Sequence, residues 1–134
     1  MITNTLRALG FFVLAGLSAS HSVSAQTMLK AQIPFPFRAS GAYLPSGDYT
    51  VSATSPSVFV IRNASTRQSV FLMQRYALDS RKSSVPRLVF NCVERACALS
   101  QLWMSADGGV QLTVPRTPAN PERLIATRNV ALKP

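Results

Sequence analysis

Residues 57–62 (SVFVIR) and 68–75 (QSVFLMQR), on either side of the polar run 63–67 (NASTR), decide how the rest of the chain is read. Two apolar runs joined through a short polar loop predict a β-hairpin. Both runs are apolar at consecutive positions, which predicts burial on both faces or a two-sided barrel wall. The loop opens with Asn63-Ala64-Ser65, which matches a glycosylation sequon and equally suits a hairpin turn.

Working outward, the same texture continues in both directions. On the N-terminal side, residues 49–53 (YTVSA) place Tyr49, Val51 and Ala53 on one strand face. Before them, residues 41–48 (GAYLPSGD) carry turn chemistry: Pro45 sets φ and Gly47 takes positive φ at no steric cost. Residues 30–39 (KAQIPFPFRA) alternate, with Ile33, Phe35 and Phe37 on one face and Pro34 and Pro36 on the other. Proline cannot donate to a ladder, so this segment is expected to be an edge strand paired on one side.

On the C-terminal side, residues 79–84 (DSRKSS) form a solvated loop. Residues 86–92 (PRLVFNC) and 97–104 (CALSQLWM) make a second expected hairpin, and Asp107-Gly108-Gly109 turns into a strand over 110–114. Asn120-Pro121-Glu122 supplies an N-cap, a first-turn proline and a first-turn acid, which predicts a short helix over 122–128. The expected fold is therefore all-β: a small antiparallel β-sandwich or barrel of about six to seven strands with a short C-terminal helix.

The chain has 134 residues, 14 Lys and Arg against 5 Asp and Glu, a single histidine and two cysteines. Residues 1–25 read as an export signal: a short basic start at Arg7, the apolar run 8–17 (ALGFFVLAGL), then small residues at Val23-Ser24-Ala25. The apolar run is half the ~20 residues a spanning helix needs, so no membrane span is expected after cleavage. The expected organisation is a signal peptide at 1–25 and one β domain at 26–134, of which 116–134 forms a tail holding the helix. The expected location is periplasmic or extracellular. Cleavage removes Arg7 and His21, leaving a basic chain without histidine. That excludes a His-based triad, a His general base and a His-rich metal site.

Cys92 and Cys97 flank the expected turn of the second hairpin, and an oxidising compartment favours a bridge between them. Cross-strand neighbours bring Cβ atoms to the separation a disulfide requires. The spacing and β context differ from the Cys-x-x-Cys of thiol–disulfide catalysts, so the bridge is read as structural.

Ten arginines are spread along the domain, and only Arg81-Lys82 are adjacent basic residues. A nucleic-acid binder more often shows a basic stripe with interleaved aromatics, and export argues against that target. If the charge is functional, the partner is an anionic envelope component or an anionic protein, with Arg81, Lys82 and Arg87 as candidate contacts. The bland alternative is a soluble surface held away from zero charge.

The acids Asp48, Asp79, Glu94, Asp107 and Glu122 occupy positions that turns and a helix start explain. Lys30, Lys82 and Lys133 lie in no Ser-x-x-Lys arrangement, and there is no glycine-rich phosphate loop. Leu88, Phe90 and Trp103 read as core, or alternatively as an aromatic patch for sugar stacking. No catalytic residue, cofactor or metal is expected.

Residues 33–37 (IPFPF) and 44–51 (LPSGDYTV) resemble the IPFxF strand and LPAGxYxV hairpin of a group of small exported bacterial β-proteins of unassigned function. Residues 88–90 (LVF) and 99–103 (LSQLW) are similar to its second signature, LVF followed by LSQIW. The group has an ordinary polar turn where this chain has Cys92 and Cys97. The resemblance implies export and a compact β domain, and no chemistry. The expected function is non-catalytic interaction or structure in the cell envelope or outside the cell. Carriage of a small apolar ligand in a barrel interior is the alternative, and a hydrolase without histidine the weaker one.

Overall fold

A computed structural model describes residues 27–79, 85–105, 108–114 and 125–134. The expected signal at 1–25 lies outside the described residues. Ten strands follow in chain order: β1 (Met28–Ile33), β2 (Phe37–Ala39), β3 (Ala42–Leu44), β4 (Gly47–Ser55), β5 (Val58–Asn63), β6 (Ser69–Asp79), β7 (Arg87–Val93), β8 (Ala96–Ser105), β9 (Gly108–Leu112) and β10 (Ile125–Ala131). They join in the order β1-β4-β5-β6-β9-β8-β2-β3. β7 takes the other edge of β8, and β10 pairs with β7.

The all-β expectation matches the fold, but its finer form does not. The described residues form ten strands, not six to seven. The sheet is mixed, because β2 runs parallel to β8 through Phe37↔Cys97 and Arg38↔Ala98. It is a ten-stranded sheet that does not close, in place of the expected sandwich or barrel. Two causes raise the count. Pro34 and Pro36 cut the expected 30–39 strand into β1 and β2, since neither can donate a ladder hydrogen bond. The expected turn at 41–48 contains a strand of its own, β3, which returns on β2 through Ser40 (φ 48) and Gly41 (φ 81). Two positive φ values are what a two-residue hairpin loop of the favoured twist requires.

The expected helix over 122–128 is also corrected. Residues 125–128 belong to β10, which pairs with β7 from Ile125↔Val93 to Ala131↔Arg87. A seven-residue helix would lie below the length at which helices hold themselves, whereas β10 satisfies a whole edge of β7. The capping signal at 120–122 lies outside the described residues.

The deciding hairpin forms as β5 and β6, in register from Val58↔Met73 to Arg62↔Ser69. Its two-sided burial does not hold. Phe59, Ile61 and Leu72 are buried, while Phe71 is 63% and Met73 50% exposed. The consecutive apolar residues build one core face and one outward apolar face.

Alternation survives the proline break: Ile33 and Phe37 are buried, Phe35 is half-buried, and both prolines are exposed. Phe37 packs edge-on to Tyr49 (5.2 Å) and Phe90 (5.3 Å), and Phe35 edge-on to Phe90 (4.9 Å). These rings tie β4 to β7 through the segment that crosses between them. The Tyr49 hydroxyl donates to the Pro45 carbonyl, so the buried phenol leaves no unpaired polar atom.

One isolated antiparallel bridge lies outside the strands. Lys30 N–H donates to Lys133 O (2.7 Å) and Lys133 N–H to Lys30 O (2.8 Å). Leu132, beside it, is part of the core.

Candidate functional site

The outward side of β1, β4, β5 and β6 is ordered by its register into three parallel rows. Val58 and Met73 are opposite each other in the first. The second runs Met28, Ser52, Val60, Phe71 across four strands. The third runs Lys133, Lys30, Thr50, Arg62, Ser69. Successive rows are two residues apart along each strand, about 7 Å. An apolar band therefore lies beside a cationic row, and no acid stands in any of the three. Asp48, opposite Gln32, belongs to the row beyond the cations.

The band is open to solvent: Met28 is 54% exposed, and Phe71 and Met73 are exposed as described above. Its backbone is held on both edges. β5 pairs with β6 on one edge, and on the other the Ser40 hydroxyl donates to Phe71 O (2.7 Å) and Thr113 N–H to Met73 O (3.0 Å). Arg62 Nε donates to Ser69 Oγ across the strands (2.9 Å). Lys30 and Lys133 are a directly paired like-charge couple, an arrangement that destabilises a sheet unless an anion offsets it.

None of these six residues (Met28, Lys30, Arg62, Phe71, Met73, Lys133) was a candidate from sequence. They are spread from one end of the domain to the other, and only strand register brings them together. The usable signal was the unbroken apolar run 70–73, whose outward members Phe71 and Met73 were expected to be buried and are exposed.

The candidate anion contacts fall elsewhere. Arg81 and Lys82 lie outside the described residues. Arg87 lies over the Trp103 ring, 4.8 Å from its centroid, and its Nη1 donates to Val85 O (3.3 Å). Leu88 and Phe90 are core residues. Trp103 is buried on the opposite face of β8, outside the core cluster, where its Nε1 donates to Gln101 Oε1 (3.1 Å). Gln101 in turn donates to Gln111 Oε1 (3.3 Å), and Gln111 to Ser100 Oγ (3.1 Å). Asn91 Nδ2 also donates to Ser100 Oγ (3.2 Å). This self-satisfied network covers the register shift between β7 and β8 at Val89/Phe90.

Cys92 and Cys97 form the expected disulfide, with Cα atoms 4.0 Å apart. The pairing continues one residue further, Val93↔Ala96, so the turn is only Glu94-Arg95. Asn63 of the sequon is 4% exposed, and its Oδ1 accepts from Ser65 N–H (2.8 Å) and Thr66 N–H (3.0 Å). That side chain builds the loop.

Asp48 lies in β4 and Glu94 in the β7–β8 turn; Asp107 and Glu122 lie outside the described residues. No group of three or more His, Cys, Asp or Glu is placed to hold a metal ion among the described residues. An open cleft of about 400 Å³ at one end of the core is lined by Phe59, Leu102, Met104, Ser105, Gly108, Gly109 and Val110. Among the described residues no helix is long and apolar enough to cross a membrane.

Comparison with known proteins returns no matching family model, no similar curated protein and no similar solved structure.

Proposed function

We propose that this protein is an exported β domain that acts by binding in the cell envelope or extracellular space, without catalytic turnover. The observation that carries the reading is the outward face just described, where exposed Phe71, Met73 and Met28 lie beside Lys30, Lys133 and Arg62. Exposed apolar patches rimmed by charge mark interaction sites, since leaving such side chains in water has no structural benefit. The disulfide is consistent with an oxidising, exported environment. The resemblance to small exported β-proteins supports the same location.

The test is retention of the tagged protein, lacking residues 1–25, on native envelope material over a salt series. Retention that falls steeply between about 50 and 200 mM salt is expected for a contact with this many exposed cations. Absence of retention removes the reading. So does turnover of any substrate in a broad hydrolase panel that a single point substitution abolishes.

A second reading, carriage of a small apolar ligand, loses the expected barrel interior because the sheet does not close, and is left only the open cleft lined by Phe59, Leu102, Met104 and Val110. Saturable binding of an apolar fluorescent probe, lost in Val110→Phe, supports carriage; binding unchanged by that substitution removes it.

A further inference from the structure

We propose that the outward face of β1, β4, β5 and β6 docks on an anionic phospholipid surface. The inference rests on the interaction reading above and names its partner. Three features of the face select this chemistry.

The first is the order of the rows. Met28, Val60, Phe71, Val58 and Met73 form a band that enters an acyl boundary. Lys30, Lys133 and Arg62 stand one row away, about 7 Å along the strands, where phosphate groups lie when apolar side chains sit just beneath them. The second is the Lys30–Lys133 couple. A pair of backbone hydrogen bonds holds these two lysines directly opposite each other, so both side chains are within reach of one phosphate, which offsets their like charges.

The third is the shape of the face. Phe71, Met28 and Met73 project from a sheet surface, and none of them lines the open cleft at Phe59, Leu102, Met104 and Val110. Projecting, flexible apolar side chains need no complementary pockets in a fluid lipid, whereas a protein partner would have to supply them. A second copy of the chain is disfavoured by charge, since face-to-face pairing would set the Lys30, Lys133 and Arg62 rows against each other.

The test is co-sedimentation of the protein lacking residues 1–25 with two kinds of vesicle: phosphatidylcholine alone, and equal parts phosphatidylcholine and phosphatidylglycerol. The mixed vesicles are expected to sediment the protein and the uncharged ones to leave it in solution. Lys30→Gln with Lys133→Gln is expected to weaken binding about twentyfold or more, because each basic residue near an anionic surface contributes about fivefold. Phe71→Ser with Met73→Ser is expected to weaken it about tenfold or more. Arg95→Glu, an equal charge change in the exposed β7–β8 turn, is expected to cost less than either. The near-ultraviolet signal of Trp103, on the far side of β8, checks that each variant is folded.

Equal binding to both vesicles overturns the proposal. So does a loss in Arg95→Glu as large as that of the paired lysine substitutions, which would mean diffuse attraction to net charge. Binding by the Phe71→Ser, Met73→Ser variant at wild-type strength overturns it too. A protein that ignores both vesicles yet is retained by lipid-stripped envelope material overturns the lipid surface and leaves the broader interaction reading in place. Retention by neither removes both.

Discussion

At Gly109 even a methyl group has nowhere to go. A Cβ built there would fall 2.4 Å from Trp103 Cδ2 and 2.7 Å from Cε3, so the indole lies flat against the bare backbone of β9. Gly109→Ala must move the largest side chain of the domain or shift β9, and should destabilise by ~1–3 kcal/mol. Urea unfolding followed by Trp103 fluorescence reads this as a lower midpoint with unchanged slope. Asn63 is a second residue whose environment sets its role. Its Oδ1 accepts from two loop N–H groups, so Asn63→Ala leaves the N–H groups of Ser65 and Thr66 without that acceptor. A loss of about 1–3 kcal/mol is expected in the same assay. From sequence Asn63 read equally as a glycan acceptor and a turn residue. Only burial separates the two, because the pattern Asn-x-Ser is the same in both.

The β7–β8 hairpin shows what a local pattern reveals about an element. Two cysteines, an apolar run on each side and a short polar gap were enough to place both strands and the bridge. The turn is tighter than the cysteine spacing implied, and its first central residue, Glu94, has φ 57. A side chain in that left-handed region is strained by about 1–2 kcal/mol. The Cys92–Cys97 bridge lies one rung from this turn. Replacing both cysteines by alanine should cost about 2 kcal/mol, the value for closing so short a loop. Adding Glu94→Gly to that double variant should recover up to about 1 kcal/mol, seen as a partial return of the unfolding midpoint. β3 and β10 were not legible in this way. β3 has three residues and sits inside what reads as a turn, and β10 follows a strong helix-start signal. Both are set by partners elsewhere: β2 for one, the open edge of β7 for the other.

Over the whole molecule, the all-β class was legible because strand composition and turn residues recur throughout. The path of the sheet was not. β2 pairs with β8 through Phe37↔Cys97, and Lys30 pairs with Lys133, and neither contact leaves a trace in any local window. The candidate face inherits that opacity, since its rows draw on β1, β4, β5, β6 and the last residues of the chain. A sheet built on such distant pairings should refold slowly for its size, in milliseconds to seconds, which stopped-flow Trp103 fluorescence will measure. Deleting residues 132–134 removes Leu132 from the core and both Lys30–Lys133 hydrogen bonds, and should lower stability by ~2–4 kcal/mol. That bridge also sets a timetable. In a chain delivered amino end first, β1 emerges long before its partner at position 133. Until position 133 is free, β1 has an unpaired stretch and the core lacks Leu132, so the sheet cannot set before that residue arrives.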